Sequence, residues 1–239
     1  MRGWLLVACA CGHAGFDPIT TASGDAVPDS AAGAPSLVAM NAVSSSTATV
    51  TVPMMIGRGH LVVVIVDTFA TGFPVIGVTD GAGVSYVSAN AGASFDGGSM
   101  DTGATEIWYV ADSQPSSGAV TVTLAGDVGS FAWVAEFAGI ATSSPLDTVA
   151  HTDTANSSTD VSGAAVTTTS PEELVMSVMA DDGHVTGLVA GNPFHELPLL
   201  EGDDVAYLVA AQAASYAPVW SVDTGVTFCS STATFRAGP

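Results

Sequence analysis

The sequence has no lysine and only three arginines against 23 aspartates and glutamates, a formal charge of −20. A surface so poor in cations repels phosphate backbones, which excludes nucleic acid as a partner class. It repels anionic membranes and anionic glycans in the same way. Divalent cations, cationic partners or plain solvation are left. No stretch approaches the roughly 18 consecutive apolar residues of a spanning helix, although 48% of the chain is hydrophobic and the mean hydropathy is +0.46. The high mean comes from alanine and valine with no lysine to offset them; the run Leu61 to Val66 has the length of a strand.

Catalytic and metal motifs are missing as well. There is no Gly-x-Ser-x-Gly elbow, no His-Glu-x-x-His and no phosphate loop. The five histidines, at 13, 60, 151, 184 and 195, are scattered. No Cys-x-x-Cys pair supports a structural zinc site. Four Trp and four Tyr are too few for the two aromatic girdles of an outer-membrane barrel. The expectation is a protein that is not an enzyme.

At the N-terminus, Arg2 is followed by an apolar stretch in which Leu6-Val7-Ala8-Cys9 resembles a bacterial lipobox. The resemblance implies cleavage before Cys9 and a lipid on its thiol, with Ala10 directing the product to the outer membrane. The leader of residues 1–8 is shorter than the roughly 15–30 residues of typical secretory signals. Residues 9–34 read as a flexible tether of small and polar residues with too little apolar surface to offset their ordering entropy. Of the remaining cysteines, Cys11 and Cys229 either pair in an oxidising compartment or Cys229 is a buried thiol.

From 35 to 239 the pattern is that of short strands. Ser46 to Val52 and Ala119 to Leu124 alternate, the latter with Thr on the wet face, while His60 to Asp67 is a continuous apolar run, as in a strand buried on both sides. Phe131, Trp133, Ala135 and Phe137 share one face. Ser170-Pro171-Glu172-Glu173 reads as a turn leading into a buried strand at Leu174 to Met179. Asp-Gly and Gly-Asp turns separate the strands, and many short strands at regular spacing indicate a sandwich or barrel.

The segment Val75-Ile76-Gly77-Val78-Thr79-Asp80-Gly81-Ala82-Gly83-Val84-Ser85-Tyr86 resembles the "VTDsaGNtY" segment of a jelly-roll domain widespread in secreted bacterial proteins. Glu106-Ile107-Trp108-Tyr109, Val120 to Thr123, Glu136-Phe137-Ala138-Gly139, Glu173 to Met176 and Ala233 to Ala237 follow in the order of that domain, covering roughly residues 36–237. Val84 stands where that segment has Asn. The resemblance implies an all-β, two-sheet antiparallel jelly-roll sandwich. It carries no shared catalytic residues.

Two acidic turns are candidate calcium ligands: Asp181-Asp182-Gly183 and Gly202-Asp203-Asp204 offer hard oxygen donors on flexible turns near strand ends. Asp96 to Asp101 is a third acidic turn. Solvated turns are the competing reading for each. Trp108 and Trp220 are the candidate aromatic contacts to a sugar, whereas Trp133, in register with Phe131 and Phe137, belongs to the core. Two functions fit: a cell-surface, lipid-anchored binding module for a glycan or surface polymer, with membrane contact only through the lipid, or an assembly subunit that meets copies of itself through strand edges. An exposed aromatic cluster in a groove favours the first; a long unpaired edge favours the second.

Overall fold

Strand 61–68 carries apolar side chains in both phases, so neither of its faces can meet water. The fold satisfies this with more layers than a two-sheet sandwich has. The computed structural model describes residues 33–90, 95–96, 103–155, 159–181, 185–198, 200, 203–223 and 227–239; at 95–96, 154–155 and 227 only the backbone is described. Cys9, Cys11 and nearly all of the expected tether lie outside these residues. Every regular element among the described residues is a strand.

The first nine are β1 (Ser36–Ser45), β2 (Thr49–Ile56), β3 (Leu61–Thr68), β4 (Val75–Asp80), β5 (Val87–Ser88), β6 (Phe95–Asp96), β7 (Ala104–Val110), β8 (Ser116–Leu124) and β9 (Ser130–Ala138). They form an inner sheet in the order β1-β9-β3-β7-β5, with β6 also on β7, and an outer sheet β2-β8-β4. The next ten are β10 (Leu146–Ala155), β11 (Asp160–Ser162), β12 (Val166–Thr167), β13 (Leu174–Ala180), β14 (Val185–Leu188), β15 (His195–Glu196), β16 (Asp204–Val209), β17 (Ser215–Tyr216), β18 (Val219–Val222) and β19 (Thr227–Phe235). They form a second inner sheet β10-β19-β13-β16-β15 and outer sheets β11-β18-β14 and β12-β17. All pairings are antiparallel.

Three cores lie between the layers. Val62, Val64 and Val66 of β3 face Val50, Val52, Val120 and Val122 of the first outer sheet. Leu61, Val63 and Ile65, on the other face of β3, meet Leu174, Met176, Val178 and Phe235 of the second inner sheet. The opposite face of that sheet, including Val175, Met179 and Phe228, packs on Trp220, Val161 and Val222. The chain is thus two sandwiches joined through their inner sheets.

The sandwiches repeat one plan. Replacing β1, β9, β3, β7, β5 by β10, β19, β13, β16, β15 reproduces the inner sheet, and β2-β8-β4 maps onto β11-β18-β14. Register repeats too: Leu61 pairs with Phe137 and Leu174 with Phe235, while Val63 lies opposite Tyr109 and Met176 opposite Tyr207. A bulge at Leu37/Ala39 recurs at Leu146/Val149, and one at Val75/Gly77 recurs at Val185/Gly187. Contacts across the junction are reciprocal, as in an isologous dimer. Tyr109 of the first half meets Phe235 of the second edge to face at 5.3 Å, and Tyr207 of the second meets Phe137 of the first at 5.3 Å, both at 67°.

Candidate functional site

The two acidic turns flagged in the sequence do meet. Asp181 follows β13 and Asp203 precedes β16, the strand paired with it, and the Asp181 amide donates to Asp203 Oδ1 at 2.8 Å. The first half adds Asp67, at the end of β3, whose carboxyl contacts that of Asp203. All three are buried. Burial, then the charges of Asp203 and Asp181, hold the Asp67 carboxyl well above its usual range. Two carboxyls this close in a buried place resist ionising together.

Asp204 does not join them. Successive strand residues point to opposite faces, so Asp204 enters the outer core of the second half and accepts from Trp220 Nε1 at 3.0 Å. Burial and the neighbouring Glu196 push its carboxyl up to about 8. Asp182 lies outside the described residues, as do 97–102 of the third acidic turn. Among the described residues, no three His, Cys, Asp or Glu side chains come together as a metal site.

Asp67 was hidden in the sequence because it ends an apolar run. Asp67, Asp80, Glu106, Glu136, Glu173, Asp181, Asp203 and Asp204 are all buried, and the side chain of Asp147 is 3% exposed. Several act as backbone staples. Glu106 accepts from the Val75 amide at 2.7 Å, Glu136 from Gly57 at 2.6 Å, and Glu173 from Ser170 at 2.8 Å. Amide donors satisfy a carboxylate without a cation, which is how an interior with so few basic residues holds so many acids.

Of the two tryptophans expected to contact a sugar, one lies in the interior. Trp220 is 0% exposed, because its position in the outer sheet of the second half faces inward; this corrects its assignment as a ligand contact. Trp108 is half-buried against the first outer core, with Nε1 donating to Glu106 at 2.9 Å. Trp133 is core, as expected. Cys229 is buried in β19.

The outer sheet of the first half presents a different surface. Thr51, Thr121 and Thr79 lie side by side across β2, β8 and β4, next to the pair Thr49 and Thr123. Pro53 and Ala119 continue the face, and Met55 and Ile76, 75% and 64% exposed, mark two of its corners. None of these residues is charged. The threonine alternation was visible in the sequence; its alignment across three strands needed the register.

Each inner sheet also ends on a ten-residue strand paired on one side only, β1 and β10. On β1, Asn41 closes part of the edge: its Oδ1 accepts from the Ala42 amide at 2.8 Å and its Nδ2 donates to Pro53 O at 2.7 Å. The equivalent residue on β10 is Ala150.

Comparison with protein-family models, with curated proteins and with solved structures returned no match for this chain. No helix among the described residues is long and apolar enough to cross a membrane.

Proposed function

We propose that this chain is a non-catalytic binding module, displayed at the cell surface on a lipidated Cys9, which recognises a neutral, hydroxyl-rich polymer such as a glycan. The observation that carries this reading is the charge-free threonine face of β2-β8-β4 on a chain of net charge −20. Hydroxyls and methyls repeat there at about 4.8 Å across strands and about 7 Å along them. That pattern suits the alternating OH groups and CH faces of a sugar chain. The strand connectivity of each half, inner 1-9-3-7 against outer 2-8-4, supports the jelly-roll reading.

The test is retention of the full chain on insoluble neutral polysaccharides, cellulose and starch, with an anionic polymer as control. Binding to a neutral polymer that is lost in Thr121→Glu supports the reading. No retention on either, or retention unchanged by Thr121→Glu, contradicts it. For the anchor, Cys9→Ala should move the protein from the membrane to the soluble fraction; unchanged fractionation removes the lipid from the account.

The long open edge of β10 favours the second reading, assembly of copies through strand pairing. Sedimentation at increasing concentration distinguishes it. Association abolished by Ala150→Asn, which copies the guard of β1, would put assembly in place of polymer binding.

A further inference from the structure

The first sandwich closes one end of its core with polar side chains that the second does without. Strand parity points Asp80 at the end of β4, Ser116 at the start of β8 and Glu136 on β9 into the space between the inner and outer sheets, and Tyr86 enters the same core. Asp80, Tyr86 and Ser116 are 7%, 4% and 8% exposed, and Asp80 Oδ2, the Tyr86 hydroxyl and Ser116 Oγ have no hydrogen-bond partner. Asp80 uses its other oxygen to build the turn, accepting from Ala82 at 2.9 Å and Val84 at 3.0 Å. Glu136 is held by His60 Nδ1 at 2.7 Å and the Gly57 amide. The Tyr86 amide donates to Val78 O of β4 at 2.9 Å, and a Cβ on Gly81, next to Asp80, would lie 2.8 Å from Ser116 Oγ, so Tyr86 and Ser116 both stand against the strand end that carries Asp80. Burial, then the charges of Asp80 and Glu136, raise the Tyr86 phenol.

The register that relates the halves gives the counterparts. Asp80 corresponds to Ala190, Tyr86 to Phe194, Ser116 to Ala214 and Glu136 to Thr234. In the second half Phe194 is buried, Ala190 is exposed and Ala214 is half-buried, so none of these three positions buries a polar side-chain atom. Leaving a buried polar atom unsatisfied is costly, and this end of the first half leaves three.

We propose that this end of the first sandwich binds a hard cation, calcium, through Asp80, Tyr86 and Ser116 with Glu136 beside them. The donors are all oxygens, two of the side chains are carboxylates, and the His60 imidazole is engaged by Glu136. That set suits calcium over zinc or copper, and the irregular placement of donors suits calcium over strictly octahedral magnesium. The site is separate from the Asp67–Asp203 contact and independent of the polymer-binding face.

The test uses the full chain, with terbium as luminescent surrogate and calcium as competitor, and melting temperature in calcium against chelator at equal ionic strength. The triple variant Asp80→Asn, Tyr86→Phe, Ser116→Ala removes the carboxylate and both hydroxyls while keeping the Oδ1 acceptor of the turn. The wild type should bind one terbium, displaced by calcium, and melt about 5 °C higher in calcium. The triple variant should show neither effect yet melt in chelator no lower than the wild type. Tyr86→Phe alone should weaken terbium binding at least threefold, and Asp67→Asn should leave it unchanged. No cation-dependent rise in the wild type, binding retained by the triple variant, or binding lost in Asp67→Asn would each overturn the proposal.

Discussion

The two halves share strand order, register and bulge positions, and differ where polar atoms are buried. In the first half the interior acid of the seventh strand, Glu106, is satisfied by Val75 N and Trp108 Nε1. Its counterpart Asp204 reaches Trp220 Nε1, lies beside Glu196, and is pushed up to about 8. The loop before the third strand is tied by Glu136 in the first half and by Glu173 in the second. In the outer sheet, Val122 of the first half is replaced by Trp220, whose ring would lie 2.3 Å from a Cβ at Gly163. The outer sheet of the second half is in two pieces where the first has one. Apolar alternation and pairing geometry are common to both halves and define the fold. The polar substitutions are local additions, each needing its own account.

The largest way to separate the halves is pH. Asp67, Glu106 and Asp204 all bind their protons more tightly folded than unfolded. Their contribution is therefore complete below about pH 4 and falls as pH rises toward the folded value. For Asp204 the window runs from its ordinary value of 3.8 to about 8, at about 1.4 kcal/mol per pH unit. Melting scans from pH 4 to 8 in chelator should show stability declining throughout. Asp204→Asn should flatten the decline more than Glu106→Gln, whose carboxylate already has two donors. Stability that rises across this window would contradict the assignment.

Leu61→Ala and Leu174→Ala sharpen the comparison next. Both leucines are buried in the shared middle core, opposite Phe137 and Phe235. Each truncation should cost about 3 kcal/mol, and denaturant unfolding should give values within about 1 kcal/mol of each other. A small cost at one position alone would mean that the halves are not packed equivalently.

The turn before the third strand offers a smaller effect of opposite sign. The amides of Gly59 and Glu172 donate to the Ser113 and Ala210 carbonyls, whose amides return to His60 and Glu173. Gly59 has φ 76° and Glu172 φ 63°. Glycine is at ease there and glutamate is not. Glu172→Gly should raise thermal stability by about 1 kcal/mol, and Gly59→Ala should lower it by a similar amount.

Much of the strand pattern was legible. The run at β3 was readable as buried on both faces because both phases are apolar, and Ser170 to Glu173 was readable as a turn before β13 because Pro171 and the acids cannot continue a strand. The duplication was not. The halves share few identities beyond Val-x-Gly at Val75 and Val185 and the paired Leu-Val and Phe positions, and equivalence rests on register, which single strands do not display. A single two-sheet sandwich was expected, and a strand apolar in both phases does not say how many layers cover it. Of the acidic turns, the approach of Asp181 and Asp203 followed from their places at strand ends. Asp67 was concealed by its apolar neighbours, and Asp204 by the assumption that adjacent acids act together.

The reciprocal junction between the halves can be tested by two double-mutant cycles, Tyr109 with Phe235 and Tyr207 with Phe137, each truncated to Leu and read by denaturant unfolding. Equivalent packing predicts the same coupling in both, about 1 kcal/mol for an edge-to-face pair. Coupling in one cycle and none in the other would contradict a duplicated pair of sandwiches joined through matching inner sheets.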